Sequence, residues 1–356
     1  MMKNDVSMNE EQFVELHKND FWKDNGKKTI MKLYVAVHYP ASACNLHCPY
    51  CYIGQRTEEK QFAELYHSPK FVRWCLSQKR LGGAALITLC GAGETLLGDR
   101  IVEVCLELLA EGHYLHIVTN GTVTDKMKEL TQRAGENAKR ILFKCSLHYT
   151  ELKERGLLER YAEGINTVSE MGASYTIEMT ADDSYISELN EIKEYAIEKF
   201  GALPHITIAR DDSKREMPIL TELPVDEYYK IWNSFESELF EVKWNYYAKP
   251  IKNCDAGKVS LWINLITGNM HKCLCQPAVD NLFDTTIEHI SFERVGDNCG
   301  APYCYNNHAY LTLGTCPDIN TFSFAEVRDR KRSDGSHWVK PDFYDFINQK
   351  LYENNR

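Results

Sequence analysis

The sequence predicts an α/β protein, an open, partial (β/α)6 barrel followed by a cysteine-rich extension. Three observations carry this. Between residues 31 and 212, six β-like runs alternate with helical segments, a pattern that builds a parallel sheet with helices outside. Six units are too few to close an eight-fold barrel. After Asp212 the composition changes, and from Cys254 onward six cysteines fall within 63 positions. The expected organisation is a polar arm over 1–30, the barrel over 31–215, a helical linker over 216–250, a cysteine-rich unit over 251–325 and a tail over 326–356.

The acidic N-terminal arm has room for one helix, near Glu10 to His17. Leu33 to Tyr39 is rich in β-branched and aromatic residues and reads as the first strand. A helix is expected over Phe71 to Lys79, then a buried strand over Ala84 to Cys90 that ends in Gly91-Ala92-Gly93-Glu94. Asp99 to Glu111 has an amphipathic period and stops at Gly112. Strand Tyr114 to Thr119 closes in Asn120-Gly121, and helix Asp125 to Ala134 follows. Strand Arg140 to His148, helix Leu157 to Met171, strand Ser174 to Thr180, helix Ile186 to Phe200 and strand His205 to Ala209 complete the six units. One aromatic-rich helix is expected within Thr221 to Phe240. Val259 to Asn264 reads as a strand, with a hairpin turn at Thr267-Gly268-Asn269. In parallel barrels the chemistry gathers at the carboxyl ends of the strands. The segment 44–51, Gly91 to Glu94, Asn120 and Arg210 all fall at such ends.

Composition excludes several classes. The formal net charge of −10 argues against a general nucleic-acid binder. The basic run Arg328 to Arg332, interrupted by Asp329, reads as a solvated face. No stretch of 18 apolar residues marks a membrane span, and the first 28 residues lack the apolar core of a signal peptide. A cytoplasmic location is therefore expected. Thirteen cysteines in a reducing compartment point to metal binding or catalysis rather than to disulfides.

The densest chemistry is Cys44-Asn45-Leu46-His47-Cys48-Pro49-Tyr50-Cys51. Close thiolates bind zinc or iron–sulfur clusters. Chance supplies roughly 0.02 such triplets, so the spacing is selected. A structural zinc site takes four ligands, and so does a redox cubane. Three cysteines without a neighbouring fourth would hold a cubane with one iron open to a ligand. The alternative is a zinc knuckle completed by His47 or a remote residue. Elsewhere Cys75, Cys90, Cys105 and Cys145 sit among apolar neighbours and read as core. His38 and His148 read as interior strand histidines.

The triplet, with an aromatic residue just before its last cysteine, resembles the radical S-adenosylmethionine (SAM) superfamily. The resemblance implies that Cys44, Cys48 and Cys51 ligate a [4Fe-4S] cluster whose fourth iron binds SAM. It implies that SAM is cleaved to a 5′-deoxyadenosyl radical and that Tyr50 lies against the adenine. Gly91-Ala92-Gly93-Glu94 resembles the family's GGE element, whose backbone receives the SAM ammonium; Ala92 departs from it. Asn120, Ser146 and Arg210 occupy positions of polar SAM contacts, the ribose near Ser146 and the carboxylate near Arg210. Cys254, thirteen residues, Gly268, four residues and Cys273 resemble the start of a SPASM/twitch extension, which holds auxiliary [4Fe-4S] clusters. Cys299 and Cys304 would complete one cluster, with Cys275, Cys316 and His308 as alternates. Six cysteines are too few for two fully thiolate-ligated clusters, so one is expected.

The resemblance implies an oxidoreductase-type enzyme with SAM as partner and an electron donor such as flavodoxin or ferredoxin. Its substrate would be a small molecule or saccharide undergoing oxidation or epimerisation, or a peptide undergoing modification. About 30 residues precede the first strand, too few for a peptide-recognition domain, which weighs against the peptide. Activation of another enzyme is a further use. A non-catalytic zinc or iron–sulfur interaction module is the alternative outside enzymes.

Overall fold

The computed structural model describes residues 8–51 and 64–356, so the first seven residues of the expected polar arm lie outside it. The described strands are β1 (Leu33–Tyr39), β2 (Ala85–Gly91), β3 (Tyr114–Thr119), β4 (Ile141–Ser146), β5 (Ser174–Ala181), β6 (His205–Ile208), β7 (Ser260–Asn264), β8 (Asn269–His271) and β9 (Ala278–Asn281). They form one sheet in the order β6-β5-β4-β3-β2-β1-β7-β8-β9. Strands β1 to β7 pair in parallel, and β8 and β9 add antiparallel strands beyond β7. The sheet does not close on itself. The six expected strands are all present, and the barrel is open, as the alternation predicts. The cysteine-rich stretch continues the same sheet, because β7 lies beside β1 with Val35 opposite Leu261.

Side chains along a strand alternate between faces. One parity buries Val35, Val37, Ile87, Leu89, Ile117, Phe143, Ile177 and Met179 beneath the helices. The other parity faces inward and divides along its length. Near the amino ends of the strands it carries Tyr34, Leu86, Tyr114 and Leu142, packed with Tyr310, Phe324, Phe343 and Phe346 from the last fifth of the chain. Tyr114 stacks on Phe346 with ring centroids 3.7 Å apart. Toward the carboxyl ends it turns polar: Thr88 lies opposite His116, Lys144 opposite Thr176, and Ser146 opposite Glu178.

Three expectations are corrected. The strand expected to reach His148 stops at Ser146, and a helix begins at Tyr149. The single helix expected within Thr221 to Phe240 is two, Val225–Asn233 and Glu238–Asn245. Glu236 adopts φ 51° between them, and the Ser237 hydroxyl accepts the Phe240 amide to cap the second. The same hydroxyl accepts the Ile206 amide, so this helix start also covers the free edge of β6. Finally, Arg328 to Arg332 is no solvated face. Arg328 is 1% exposed and forms an ion pair with Glu178, which also pairs with Lys144 at 3.2 Å. Arg330 donates to the carbonyls of Phe235 and Glu236. A buried guanidinium is tolerated where carboxylate and carbonyl acceptors surround it.

His113 ties β2 to the helix Pro69–Cys75. Its Nδ1 accepts the Ala85 amide at 3.1 Å, and its Nε2 lies 2.8 Å from the Leu76 carbonyl. The ring is fully buried, and burial pushes its pKa down to about 4 from an ordinary 6.5. The folded state therefore holds it neutral while the unfolded chain protonates it. That contribution is present above pH 6.5 and is lost as pH falls toward 4, about 3 kcal/mol in all. NMR titration should show His113 neutral down to pH 5, with the urea midpoint falling across the same interval.

Candidate functional site

The cysteine loop leaves the carboxyl end of β1. Cys44 is exposed and Cys48 and Cys51 are half-buried, so the three thiols line an accessible surface. The Cys51 amide donates to the Cys48 carbonyl at 3.2 Å, curling the loop. Burial, then the nearby Cys51, Glu151 and Cys44, push the Cys48 thiol up to about 12. Burial is also the main cause that raises Cys44, with Glu94 and Cys51 adding to it. A cationic centre beside Cys44 and Cys48 would favour their ionisation, which burial and neighbouring negative charge oppose. Among the described residues no three His, Cys, Asp or Glu side chains converge on a single metal ion. A polynuclear cluster spaces its thiolates more widely than one ion does.

Gly91 to Glu94 folds against the start of this loop. The Gly93 amide donates to the Ala41 carbonyl at 2.6 Å, and the Glu94 amide to the Ala43 carbonyl at 2.8 Å. A Cβ on Gly93 would stand 2.0 Å from the Ala43 oxygen, and one on Gly91 would stand 2.8 Å from the Ala41 oxygen. The close approach that demands glycine here is between two stretches of the chain. Ala92 lies between them, half-buried. Glu94 is 2% exposed, and its carboxylate accepts from the Leu96 amide, the Thr119 hydroxyl and the Asn120 amide at 3.0, 2.6 and 2.6 Å. It therefore acts as a clamp between β2, β3 and the cysteine loop.

Asn120 joins this clamp to the thiols. Its Nδ2 donates to Asn45 Oδ1 at 2.8 Å and reaches Cys44 Sγ at 3.9 Å, while its Oδ1 accepts from Thr122. An amide donor on the sulfur favours the thiolate. Tyr50 is 9% exposed, with its hydroxyl 2.7 Å from His148 Nδ1 and 2.5 Å from the Tyr185 hydroxyl. Burial pushes His148 down to about 3, so the ring is neutral and its Nδ1 shares one hydrogen bond with the Tyr50 hydroxyl. The tyrosine ring is thereby fixed in orientation. Tyr185 went unnoticed in the sequence because nothing links it to Tyr50, 135 positions away.

Ser146 ends β4 and lies 3.0 Å from Lys144 Nζ, within the inner-face network of Glu178 and Arg328. Arg210 is directed elsewhere. It donates to the Tyr305 carbonyl at 2.9 Å, lies 3.8 Å from Asp212, and lines a cleft with Lys243, Tyr247 and Tyr303. The structure thus brings Tyr50, Gly91 to Glu94 and Asn120 around Cys44, Cys48 and Cys51, whereas Arg210 faces the cysteine-rich segment.

The second cysteine group assembles from four stretches. Cys254 pairs through its backbone with Gly296, and the β7–β8 hairpin carries Cys273 back toward it. Gly268 takes φ +78° at the turn. Cys273 and Cys254 act electrostatically on both Cys299 and Cys304. Two alternates join them. Cys316 hydrogen-bonds the Cys254 thiol and lowers its pKa, and Cys275 bonds Cys273 and raises it. His308 faces Lys243, Lys144, Arg210 and His116 instead.

No protein-family model matches the chain, and no curated protein matches it. Solved structures resemble it in part. SuiB of Streptococcus suis bound to precursor peptide SuiA superposes with a TM-score of 0.49 and 14% identity, over 81% of this chain and 72% of that one. anSMEcpe with bound AdoMet gives 0.48 and 14%, over 72% and 80%. BtrN in complex with AdoMet and 2-DOIA gives 0.41 and 16%, over 73% and 82%.

The glycine contact yields a prediction. Gly93→Ala must push Ala43 away, disturbing the loop that carries Cys44. Stability should fall by about 2–3 kcal/mol. Iron bound per chain after anaerobic reconstitution should fall with it.

Proposed function

We propose that the chain is a radical SAM enzyme with one auxiliary iron–sulfur cluster. The observation that carries the reading is the triplet itself: Cys44, Cys48 and Cys51 on one loop at the carboxyl end of β1, with no fourth cysteine in the loop. Cys44, Cys48 and Cys51 hold a [4Fe-4S] cluster with one iron left for SAM. When bound, the cluster and SAM supply the 5′-deoxyadenosyl radical that abstracts hydrogen from a substrate C–H bond.

The chain's own groups do the rest. Asn120 donates toward the Cys44 sulfur, a contact of the kind that tunes cluster potential. Tyr50, locked by His148 and Tyr185, offers its ring to the adenine. The backbone of Gly91 to Gly93 borders the SAM amino acid, and Glu94 holds that turn in place. Ser146 and Lys144 present polar atoms to the nucleoside side. Cys254, Cys273, Cys299 and Cys304 hold the auxiliary cluster, with Cys316 and Cys275 within the same group. A cluster there can exchange an electron with the substrate radical, which suits a redox outcome. The substrate is a small molecule, a saccharide or a peptide residue, and reduction comes from a flavodoxin- or ferredoxin-type donor.

Anaerobic reconstitution with iron and sulfide, followed by dithionite and SAM, should yield 5′-deoxyadenosine and methionine. Cys44→Ala, Cys48→Ala or Cys51→Ala should abolish both products. Alanine at Cys254, Cys273, Cys299 and Cys304 together should remove about four irons per chain. An intact triplet cluster that leaves SAM uncleaved sinks the enzyme reading; unchanged iron in the fourfold variant sinks the auxiliary cluster.

A further inference from the structure

The residues between Cys44 and Cys48 are gripped from outside the loop. Asn45 donates from Nδ2 to the Thr122 hydroxyl at 2.8 Å, and its Oδ1 accepts from Asn120 at 2.8 Å, so its side chain is fixed to the turn after β3. Its backbone is held by a different element. The Asn45 carbonyl accepts from Arg155 Nη1 at 2.9 Å. The His47 amide donates to Glu151 Oε1 at 2.9 Å, and Arg155 Nη2 donates to His47 Nδ1 at 3.0 Å. Arg155 Nη2 also pairs with Glu151 Oε1 at 2.6 Å.

The element that supplies this grip is firmly seated. Glu151 lies on the helix Tyr149–Glu154, and Arg155 is the residue that ends it. The Tyr149 hydroxyl donates to Glu191 at 2.8 Å and the Thr150 hydroxyl to Glu188 at 2.6 Å. Lys153 donates to both carboxylates, at 2.9 Å to Glu188 and 2.7 Å to Glu191. The helix is thereby tied to the helical turns that follow β5, and it can hold the cysteine loop without giving way.

An i,i+4 ion pair on a helix contributes little by itself. This pair differs because each partner also holds a backbone group of the cysteine loop, across 104 and 110 positions of sequence. The arginine fork serves two acceptors of the loop at once, which a single ammonium does not reproduce. The Glu151 side chain is only 16% exposed, and its charge acts on the Cys48 sulfur. A charge so placed is felt by whatever the sulfurs hold.

We propose that Arg155 and Glu151 are a positioning pair for the cluster on Cys44, Cys48 and Cys51: they fix the backbone from Asn45 to His47, and their opposite charges balance at that cluster and set its reduction potential. This rests on the radical SAM reading and goes beyond it, because it names residues outside the loop that govern the cluster. Reduction adds a negative charge. Arg155 favours it and Glu151 opposes it, so removing either one alone moves the potential in its own direction.

The test is a redox titration of the anaerobically reconstituted full chain, followed by electron paramagnetic resonance. The signal to follow is the one that survives alanine at Cys254, Cys273, Cys299 and Cys304. At fixed potential, Arg155→Met should lower the ratio of reduced to oxidised cluster about threefold, and Glu151→Gln should raise it about threefold. Arg155→Lys should keep the wild-type ratio, because the charge remains. It should still lose iron to a chelator faster than wild type, because the fork is gone. Shifts of one sign in Arg155→Met and Glu151→Gln, or no shift in either, overturn the proposal. So does iron release from Arg155→Lys no faster than from wild type. If Arg155→Met fails to fold, the near-isosteric Glu151→Gln and the charge-conserving Arg155→Lys decide the same two points. A triplet cluster with the expected shifts but no cleavage of SAM overturns the radical SAM reading alone. Cleavage of SAM with unshifted ratios overturns the positioning pair alone, and a triplet that binds no iron overturns both.

Discussion

A parallel sheet that stops at six barrel strands leaves an inner face and two edges to be covered. Most of the chain after Asp212 answers that constraint. Strand β7 takes the edge beside β1, and the capped start of the helix Glu238–Asn245 covers β6. Tyr310, Phe324, Phe343 and Phe346 fill the amino end of the inner face. The carboxyl end cannot be filled in the same way, because its strand positions are polar. The consequence is a buried ionic layer of Lys144, Glu178 and Arg328 beneath an accessible mouth. Removing one member of such a layer is far more damaging than replacing all of it, which ties these residues together across three parts of the chain.

The candidate site sits directly above that layer and depends on Glu94. Its carboxylate joins the turn after β2 to the end of β3, and the neighbouring backbone grips Ala41 and Ala43 at the base of the cysteine loop. Through Asn120 the same connection reaches the Cys44 sulfur. The loop is thus held in place at its first cysteine by the chain's own contacts. Preorganisation of this kind lowers the ordering cost of binding.

Much of this was readable from the residues. β-Like runs and their turn residues located all six barrel strands, and the spacing of Cys44, Cys48 and Cys51 singled out the loop that leaves β1. The β7–β8 hairpin followed from Thr267-Gly268-Asn269. The failures have a common cause. The helix break at Glu236 depends on Ser237 meeting β6, and the burial of Arg328 depends on Glu178, 150 positions earlier. Local pattern carries no trace of a partner so distant. Gly93 was read as bordering a ligand, and the group that crowds it in the fold is the Ala43 carbonyl.

The sequence by itself determined the strand–helix order and the three-thiol loop, because each is set by neighbours a few residues apart. Only the tertiary structure decided which way Arg210 points, which cysteines stand beside Cys254 and Cys273, and that Arg328 is buried against Glu178. Those outcomes depend on where the last third of the chain docks against the inner face. That docking is governed by shape and charge matched across the whole fold.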